Sequence, residues 1–266
     1  MLCDMNPPGG PGLVVVWRVT TRCNLGCPFC AYDRRLALER QDADVSEVAR
    51  VGRLLGAWSR QRGRPALLSL LGGEPFLWDV EALPGALGPQ APSLSVTTNG
   101  LALASARVRD WVAGTLSELT VSLDGPARLH DALRGAPGSL ERTLEALRDL
   151  RGRPVRPRLR VNAVVMRDTL PVLEELVELV APVADELTLN QLGGNDRPEY
   201  HPEHRLRPED VDALGRTLPS LVQRASALGC RLPMSGAYLH RWQASARGQA
   251  LAIDDCAPGT RFLFVD

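Results

Sequence analysis

Six short β-rich runs alternate with longer segments of helical periodicity, and this alternation constrains the fold of the chain more than any other feature. The β-rich runs are Leu13–Thr20, Ala66–Leu71, Ser93–Thr98, Glu118–Leu123, Arg158–Val165 and Glu186–Leu192. Apolar residues recur every three or four positions in Val45–Arg62, Leu140–Leu150, Leu170–Val183 and Glu209–Leu228. Strands separated by helices predict successive βα units, and therefore a parallel sheet with helices outside it.

We predict an α/β fold, namely a partial (β/α)6 TIM-like barrel of parallel strands followed by the start of a C-terminal extension. A doubly wound open sheet is the alternative, and its strand order would reverse at a switch point. Apolar runs such as Val14-Val15-Val16 and Leu67-Leu68 suit strands that are buried on both faces. Predicted helix N-caps are Asp44, Ser139 and Asp168/Thr169. The predicted divisions are a tail over residues 1–12, a barrel core over 13–229 and an incomplete extension over 230–266, whose last β run, Arg261–Val265, has no evident partner strand.

Polar residues and glycines follow almost every predicted strand. Because the carboxyl ends of parallel strands meet at one rim of such a fold, these residues predict a single site there. The segments concerned are Thr21-Arg22-Cys23, Gly72-Gly73-Glu74-Pro75, Asn99-Gly100, Asp124-Gly125 and Gly193-Gly194-Asn195.

Charge composition excludes several classes of function. The formal net charge is zero and the pI is about 6.9, which argues against nucleic acid or an anionic membrane as the main partner. No apolar run approaches the ~18 residues of a membrane span, so a cytoplasmic protein is expected. All 31 basic side chains are arginine. Without lysine the chain cannot anchor pyridoxal phosphate or use lysine-based aldol chemistry, and it has no phosphate loop of the GxxxxGK type.

Three of the six cysteines lie within eight residues, Cys23, Cys27 and Cys30, in the spacing CxxxCxxC. Three thiolates on one loop can hold three irons of a [4Fe-4S] cluster and leave the fourth iron open to a small molecule. A structural zinc site needs a fourth ligand, and the nearest histidine is the distant His130. The spacing therefore predicts a cluster with one exchangeable position.

These motifs, in this order, resemble the radical S-adenosylmethionine (SAM) enzymes from about Val14 to Leu192. The resemblance implies that Cys23, Cys27 and Cys30 bind the cluster and that SAM chelates the open iron. It places Phe29 beside the adenine. It also implies that the turn formed by Gly72, Gly73 and Glu74 receives the methionine ammonium, for which a carboxylate is a suitable partner.

Further SAM contacts follow from the same resemblance. Ser122 and Asp124, which are two residues apart and so share a sheet face, would contact the ribose and the methionine carboxylate. Asn162 is a polar residue within an apolar strand, and its partner would be the ribose or the carboxylate. Backbone groups at Leu192, after Gln191, would meet the adenine.

The segments around Thr97-Thr98-Asn99-Gly100, His130-Asp131 and Arg134-Gly135 resemble the branch that carries a SPASM or Twitch extension with auxiliary iron–sulfur clusters. His130 and Arg134 would be structural or substrate-facing, or His130 a satisfied surface group. Cys256 resembles the first ligand of such an extension, with auxiliary [4Fe-4S] clusters expected if the native chain continues. The alternative is that Cys256 donates a hydrogen atom, as in a radical epimerase. Cys3 and Cys230 are predicted to be structural or free thiols.

The resemblance implies an enzyme that reductively cleaves SAM to a 5′-deoxyadenosyl radical, which abstracts a hydrogen atom from a peptide or small natural-product substrate. A flavodoxin- or ferredoxin-like protein would supply the electron, and neither nucleic acid nor membrane would be a partner. A non-catalytic iron–sulfur electron carrier or regulator is the alternative of a different class. Two weaker features remain. His201 and His204 could bind a metal together or belong to a solvated loop. Tyr238 and Trp242 could line a substrate cavity or pack in the core.

Overall fold

The computed structural model describes residues 12–250 and 261–266 of the chain. Seven strands form one parallel sheet in the order β6-β5-β4-β3-β2-β1-β7. The strands are β1 Leu13–Thr20, β2 Ala66–Gly72, β3 Ser93–Thr98, β4 Glu118–Ser122, β5 Arg158–Val165, β6 Glu186–Gln191 and β7 Phe262–Val265. The sheet curls into a half-barrel.

Helices connect the strands and cover one face of the sheet. They are α1 Val45–Arg62, α2 Leu83–Leu87, α3 Ala106–Thr115, α4 Ala127–Arg134, α5 Ser139–Arg151, α6 Leu173–Val180, α7 His201–His204, α8 Pro208–Ala227 and α9 Gly236–Ala246. The first six strands follow one another across the sheet without a reversal, so the predicted partial TIM-like barrel is confirmed and the doubly wound alternative is excluded.

The last strand of the chain differs from its prediction. The run ending at Val265 was expected to have no partner, and this is wrong, because Phe262–Val265 pairs in parallel with Val14–Trp17 of β1. The reason is that β7 lies at the edge of the sheet opposite β6, beside the first strand of the chain, and no local pattern encodes so long-range a pairing. β7 is an edge strand, with Leu263 and Phe264 partly exposed.

The two faces of β4 to β6 differ in chemistry. Leu159, Val161 and their neighbours on one face are fully buried against the helices. Successive side chains of a strand point to opposite sides of the sheet, so every second residue lies on the opposite face, and on these strands most of those residues are polar. We call this second face the open face. Its residues on these strands include Glu118, Thr120, Ser122, Arg158, Arg160, Asn162, Glu186, Thr188 and Asn190. Thr120, Glu186 and Thr188 are nevertheless buried, so polar side chains as well as apolar ones are covered in this sheet.

Helix capping follows the sequence only in part. The Asp44 carboxylate accepts a hydrogen bond from the Ser46 backbone N–H, as predicted for the N-cap of α1. Ser139, by contrast, is the first residue of α5, and the cap is supplied by Asp131, which accepts from Ser139 Oγ and from the Leu140 N–H. The predicted helix from Leu170 begins instead as a 3-10 turn and becomes α-helical at Leu173.

Two apolar clusters support the sheet. The large one fills the space between strands and helices and includes Cys230, Leu232 and Trp242. The small one lies under the loop after β1 and is formed by Leu25, Cys27, Phe29, Leu133, Met166 and Leu192. In the described part of the chain, no helix combines the length and the apolar character needed to cross a bilayer.

Candidate metal centre

Three thiols share the loop that leaves β1 at the carboxyl end of the strand. Cys27 is buried, and Cys23 and Cys30 are half-buried. Burial, with smaller contributions from the negative charges of Cys30 and Cys23, raises the pKa of Cys27 to about 11. Burial also raises the pKa of Cys30, again with a contribution from Cys23. The thiols are thus close enough to repel one another as thiolates, and a cationic group must bind if all three are to ionise.

Each of the three sulfurs has its own N–H donor. The Leu25 backbone N–H lies 3.5 Å from Cys23 Sγ, the Tyr32 backbone N–H lies 3.4 Å from Cys30 Sγ, and Arg134 Nη1 lies 3.8 Å from Cys27 Sγ. Donors aimed at sulfur stabilise the thiolate, which is the form that binds iron. Three thiols with three donors on one loop therefore fit a [4Fe-4S] cluster.

A single metal ion fits this loop less well. Within residues 12–250 and 261–266, no three side chains of His, Cys, Asp or Glu converge on one point, as a mononuclear site requires. A cluster makes no such demand, because each cysteine binds a different iron. The zinc alternative gains no support from this geometry.

The loop is held in shape by a buried carboxylate. Asp33 is almost inaccessible, and Arg35 binds it through Nε at 2.9 Å and through Nη2 at 2.7 Å. The same Arg35 donates to the Gly26 carbonyl at 2.7 Å, and Arg197 reaches Asp33 at 3.2 Å. Arg40 donates to the carbonyls of Thr21 and Asp33, both at 2.8 Å. These bonds close the loop around its cysteines.

We expect Asp33→Asn to destabilise the protein by about 2 kcal/mol at pH 7. Hydrogen bonding from Arg35 lowers the pKa of Asp33 to about 2. A carboxyl group whose pKa is lower in the folded than in the unfolded state stabilises the folded protein. This stabilisation is complete above the unfolded pKa of ~3.9, and it is lost as the pH falls through the folded pKa. Urea unfolding at pH 7 and pH 3 should therefore show a smaller difference between wild type and variant at pH 3.

The matched control is Glu199→Gln, because Glu199 also pairs with Arg197 but is 63% exposed. An exposed pair contributes little, so this variant should unfold like the wild type. A loss for Asp33→Asn that is equal at both pH values would contradict the ion-pair account.

The two glycines after β2 are required by the backbone of the neighbouring strand end. A Cβ at Gly72, whose φ is +154°, would lie 2.2 Å from the Thr20 carbonyl oxygen, and one at Gly73 would lie 2.1 Å from the Arg22 carbonyl oxygen. The Gly73 N–H donates to Thr20 at 2.8 Å, and the N–H of Glu74 donates to Arg22 at 2.7 Å. The glycine pair therefore docks the end of β2 against the start of the cysteine loop.

Glu74 is fully buried beside this turn. Its carboxylate accepts from Thr98 Oγ1 and the Asn99 N–H, both at 2.8 Å, and from the Phe76 N–H at 3.1 Å. Burial raises the pKa of Glu74, and the three donors act in the opposite direction. Asn99 in turn donates from Nδ2 to Asn24 Oδ1, inside the cysteine loop, at 2.8 Å. One carboxylate thus fixes the ends of three strands relative to the cysteines.

Asp124 and Ser122 differ in their surroundings. Ser122 is half-buried on the open face. Asp124 has no exposed surface, and its carboxylate binds Arg134 at 2.7 Å and 2.6 Å and accepts from the Val164 N–H at 3.0 Å. His130 is also buried rather than on the surface, and its Nδ1 accepts from the Asp124 N–H. Burial lowers the pKa of His130 to about 4, so the ring is neutral at pH 7.

The remaining predicted SAM residues line the same end of the sheet. Asn162 pairs in register with Ser122, and its Oδ1 accepts from Thr188 Oγ1 at 3.0 Å and from Asn190 Nδ2 at 2.7 Å. Phe29 and Leu192 both belong to the small apolar cluster under the cysteine loop. All the predicted site residues that the structure describes therefore lie at the carboxyl ends of the strands or on the loops that follow them.

Sequence reasoning missed the contacts that join these parts. Arg134 was noted only as structural or substrate-facing, yet its guanidinium contacts Cys27, Asp124 and the ring of Phe29, whose centroid is 5.4 Å away. Asn24 was not singled out. The available signal was a polar residue next to each strand end in an otherwise apolar region, which predicts a buried partner without identifying it.

The other candidates are placed as follows. Cys256 and Cys3 lie outside the described residues. Cys230 is buried at the opposite end of the sheet, near the first residue of β6. His204 Nδ1 lies 2.6 Å from the Asp168 carboxylate, and its ring stacks on Tyr200. Trp242 packs in the large core, and Tyr238 donates its hydroxyl to the Leu189 carbonyl at 3.0 Å.

A family model described as "Radical SAM superfamily" matches residues 17–180. The chain is 33% identical over 231 residues to the GTP 3',8-cyclase of Mycolicibacterium smegmatis, which covers 85% of this chain and 61% of that protein. It is 31% identical over 179 residues to the pre-heme d1 synthase of Dinoroseobacter shibae, and the match covers 64% of this chain and 41% of that protein. The AdoMet-dependent heme synthase of Nitratidesulfovibrio vulgaris is 25% identical over 168 residues, and the match covers 62% of this chain and 44% of that protein.

Among solved structures, Streptococcus suis SuiB bound to S-adenosylmethionine superposes with a TM-score of 0.66 at 18% identity, covering 92% of this chain and 54% of SuiB. SuiB bound to its precursor peptide SuiA gives a TM-score of 0.65 at 19% identity, covering 89% and 51%. At these identities the likeness concerns the fold. The chain spans about half the length of the proteins it matches.

Proposed function

The chain belongs to the radical SAM superfamily, whose members use a [4Fe-4S] cluster and SAM, and we propose that it is an enzyme that cleaves SAM reductively at such a cluster. When bound, the two groups supply a 5′-deoxyadenosyl radical that abstracts a hydrogen atom from a substrate. The observation that carries the proposal is the three-cysteine loop, with one N–H donor per sulfur, docked against the turn of Gly72 and Gly73.

In this proposal Cys23, Cys27 and Cys30 hold three irons and leave the fourth to the amino and carboxylate groups of SAM. The turn of Gly72 and Gly73 lies directly beside them and receives the methionine end. Glu74 has its carboxylate occupied by three protein donors, so it acts mainly by fixing that turn and, through Asn99, the cysteine loop.

Ser122 and Asn162 form the polar part of the proposed SAM site. They are neighbours in register on the open face. Because Asn162 Oδ1 already accepts two hydrogen bonds, its amide N–H₂ is the group left to donate to a ribose or carboxylate oxygen. Phe29 would lie beside the adenine, and backbone groups at Leu192 would meet it. Asp124 acts by holding Arg134.

The substrate is proposed to be a peptide or a small natural product that enters the open face. On that face the hydroxyl and amide groups of Ser122, Asn162 and Asn190 are half-buried, and Thr120 and Thr188 lie buried on the same side. Such a lining favours a substrate with several hydrogen-bonding groups over a purely apolar one. The reductant is a flavodoxin- or ferredoxin-like protein, which the half-buried positions of Cys23 and Cys30 leave within reach.

The test is anaerobic reconstitution with iron and sulfide, followed by incubation with SAM and dithionite. The protein should bind about four irons per chain and release 5′-deoxyadenosine and methionine, measured by mass spectrometry. A control without reductant should release neither. A protein that binds about four irons but forms no 5′-deoxyadenosine would contradict the proposal and favour the electron-carrier alternative.

A further inference from the structure

A buried cation contacts the proposed cluster loop. Arg134, at the end of α4, has a side chain that is only 10% exposed. Its Nη1 lies 3.8 Å from Cys27 Sγ, its Nε and Nη2 bind Asp124, and its guanidinium lies over the ring of Phe29. The planar fork of an arginine can make these contacts at once, whereas a lysine ammonium cannot.

We propose that Arg134 raises the reduction potential of the cluster bound through Cys27, and that Asp124 limits this effect. The inference rests on the proposed function, since it concerns the cluster assigned there. Arg134 is a positioning residue in this proposal. It acts on the cluster through the Cys27 sulfur.

The charges around the sulfur support this assignment. Arg134 turns Nη1 toward the Cys27 sulfur at 3.8 Å, whereas Asp124 is bound at the other edge of the guanidinium, through Nε and Nη2. The second carboxylate oxygen of Asp124 accepts a hydrogen bond from the Val164 N–H. His130 is neutral at pH 7 and adds no charge. In the ion pair of Arg134 and Asp124, the positively charged guanidinium is therefore the group next to Cys27.

The redox step adds one electron from the external reductant to the oxidised cluster, and no proton is needed. The added negative charge is favoured by a nearby cation and by an N–H donor to a ligand sulfur, and both raise the potential. Burial strengthens these effects because solvent does not screen them. A higher reduction potential makes the cluster easier to reduce. A flavodoxin- or ferredoxin-like donor of limited reducing power can then transfer its electron to the cluster.

The experiment is an EPR-monitored redox titration of reconstituted protein without SAM. Arg134→Met should shift the midpoint potential to more negative values by ~59 mV. For a one-electron couple this corresponds to a tenfold change in the reduction equilibrium constant. Asp124→Asn should shift it in the opposite direction, because the cation loses its counter-ion. A merely structural role would move both variants the same way.

Two further variants keep the test decisive. If Arg134→Met leaves Asp124 unpaired and fails to fold, the double variant Arg134→Met/Asp124→Leu replaces the whole buried pair with apolar groups, a change that proteins often tolerate. It should still shift the potential negatively. Arg160→Met is the matched control, since Arg160 is 12% exposed and pairs with Glu186 and Glu118 far from the cysteines.

Equal potentials in the wild type and the Arg134 variants would overturn the inference and leave the proposed function standing. Shifts of the same sign in the Arg134 and Asp124 variants, or an equal shift in Arg160→Met, would overturn it in the same way. A wild-type protein that assembles no cluster would overturn both proposals.

Discussion

Cys27→Ala will lose the bound iron and reduce 5′-deoxyadenosine formation to background, whereas Cys230→Ala will retain both. The two thiols are closely matched, since both are buried and burial raises the pKa of each to about 11. They differ in position. Cys27 shares its loop with Cys23 and Cys30, while Cys230 lies near Glu186 and Arg231 at the opposite end of the sheet.

The measurement is iron and sulfide content after reconstitution, together with the yield of 5′-deoxyadenosine under dithionite. Circular dichroism of each variant provides the control for folding, and both should keep the wild-type helix content. An iron content near four in Cys27→Ala, or an equal loss of iron in both variants, would show that the cysteine loop does not hold the cluster.

Gly73→Ala will destabilise the protein by about 1–3 kcal/mol and weaken iron retention. The added methyl group would stand 2.1 Å from the Arg22 carbonyl oxygen, and the nearest atoms are all backbone, which cannot move aside as a flexible side chain can. Relief requires the end of β2 to separate from the first residues of the cysteine loop. The loss of stability and the loss of iron should therefore occur together.

Gly114→Ala is the matched control for this substitution. Gly114 lies in α3, and nothing stands within 4 Å of the Cβ it would gain. An alanine in an unstrained helical position stabilises by roughly 0.4–1 kcal/mol. Urea unfolding of both variants and iron retention after gel filtration make the comparison. A Gly73 variant as stable and as iron-rich as the Gly114 variant would mean that the close approach of the two strands is not needed.

The sequence predicted the strands well because each one is a short segment rich in apolar residues, continuous in β1 and β2 and alternating in β4 to β6, that is followed by glycine or polar residues. The observed bounds of β1, β3 and β5 agree with the prediction, and those of β2, β4 and β6 differ by one residue. Helix α1 also agrees, since its apolar spacing is regular and Asp44 caps it. Helices α2, α3, α4, α7 and α9 were not predicted, because their sequences have few apolar residues at helical spacing.

The site was predictable only where its residues are close in sequence. The cysteine spacing and the glycine pair are local patterns, and each points to its chemistry directly. The contact between Arg134 and Cys27 joins positions 107 residues apart, and it depends on the angle at which α4 packs over the loop. The same holds for the bonds that occupy Glu74, because their donors come from β3 and the residues after it. Pairings of this kind are set by the three-dimensional fold.

The position of β1 in the sheet bears on how the metal-free protein behaves. Although β1 is the first strand, β2 and β7 flank it on either side over Val14–Trp17. Amide protons in such an interior strand exchange with solvent only through the largest opening reactions. We therefore expect the cysteine loop to begin at a segment that stays folded in most partial unfolding events. The sheet should accordingly fold before the cluster binds, unlike a zinc finger, whose folding is driven by its metal.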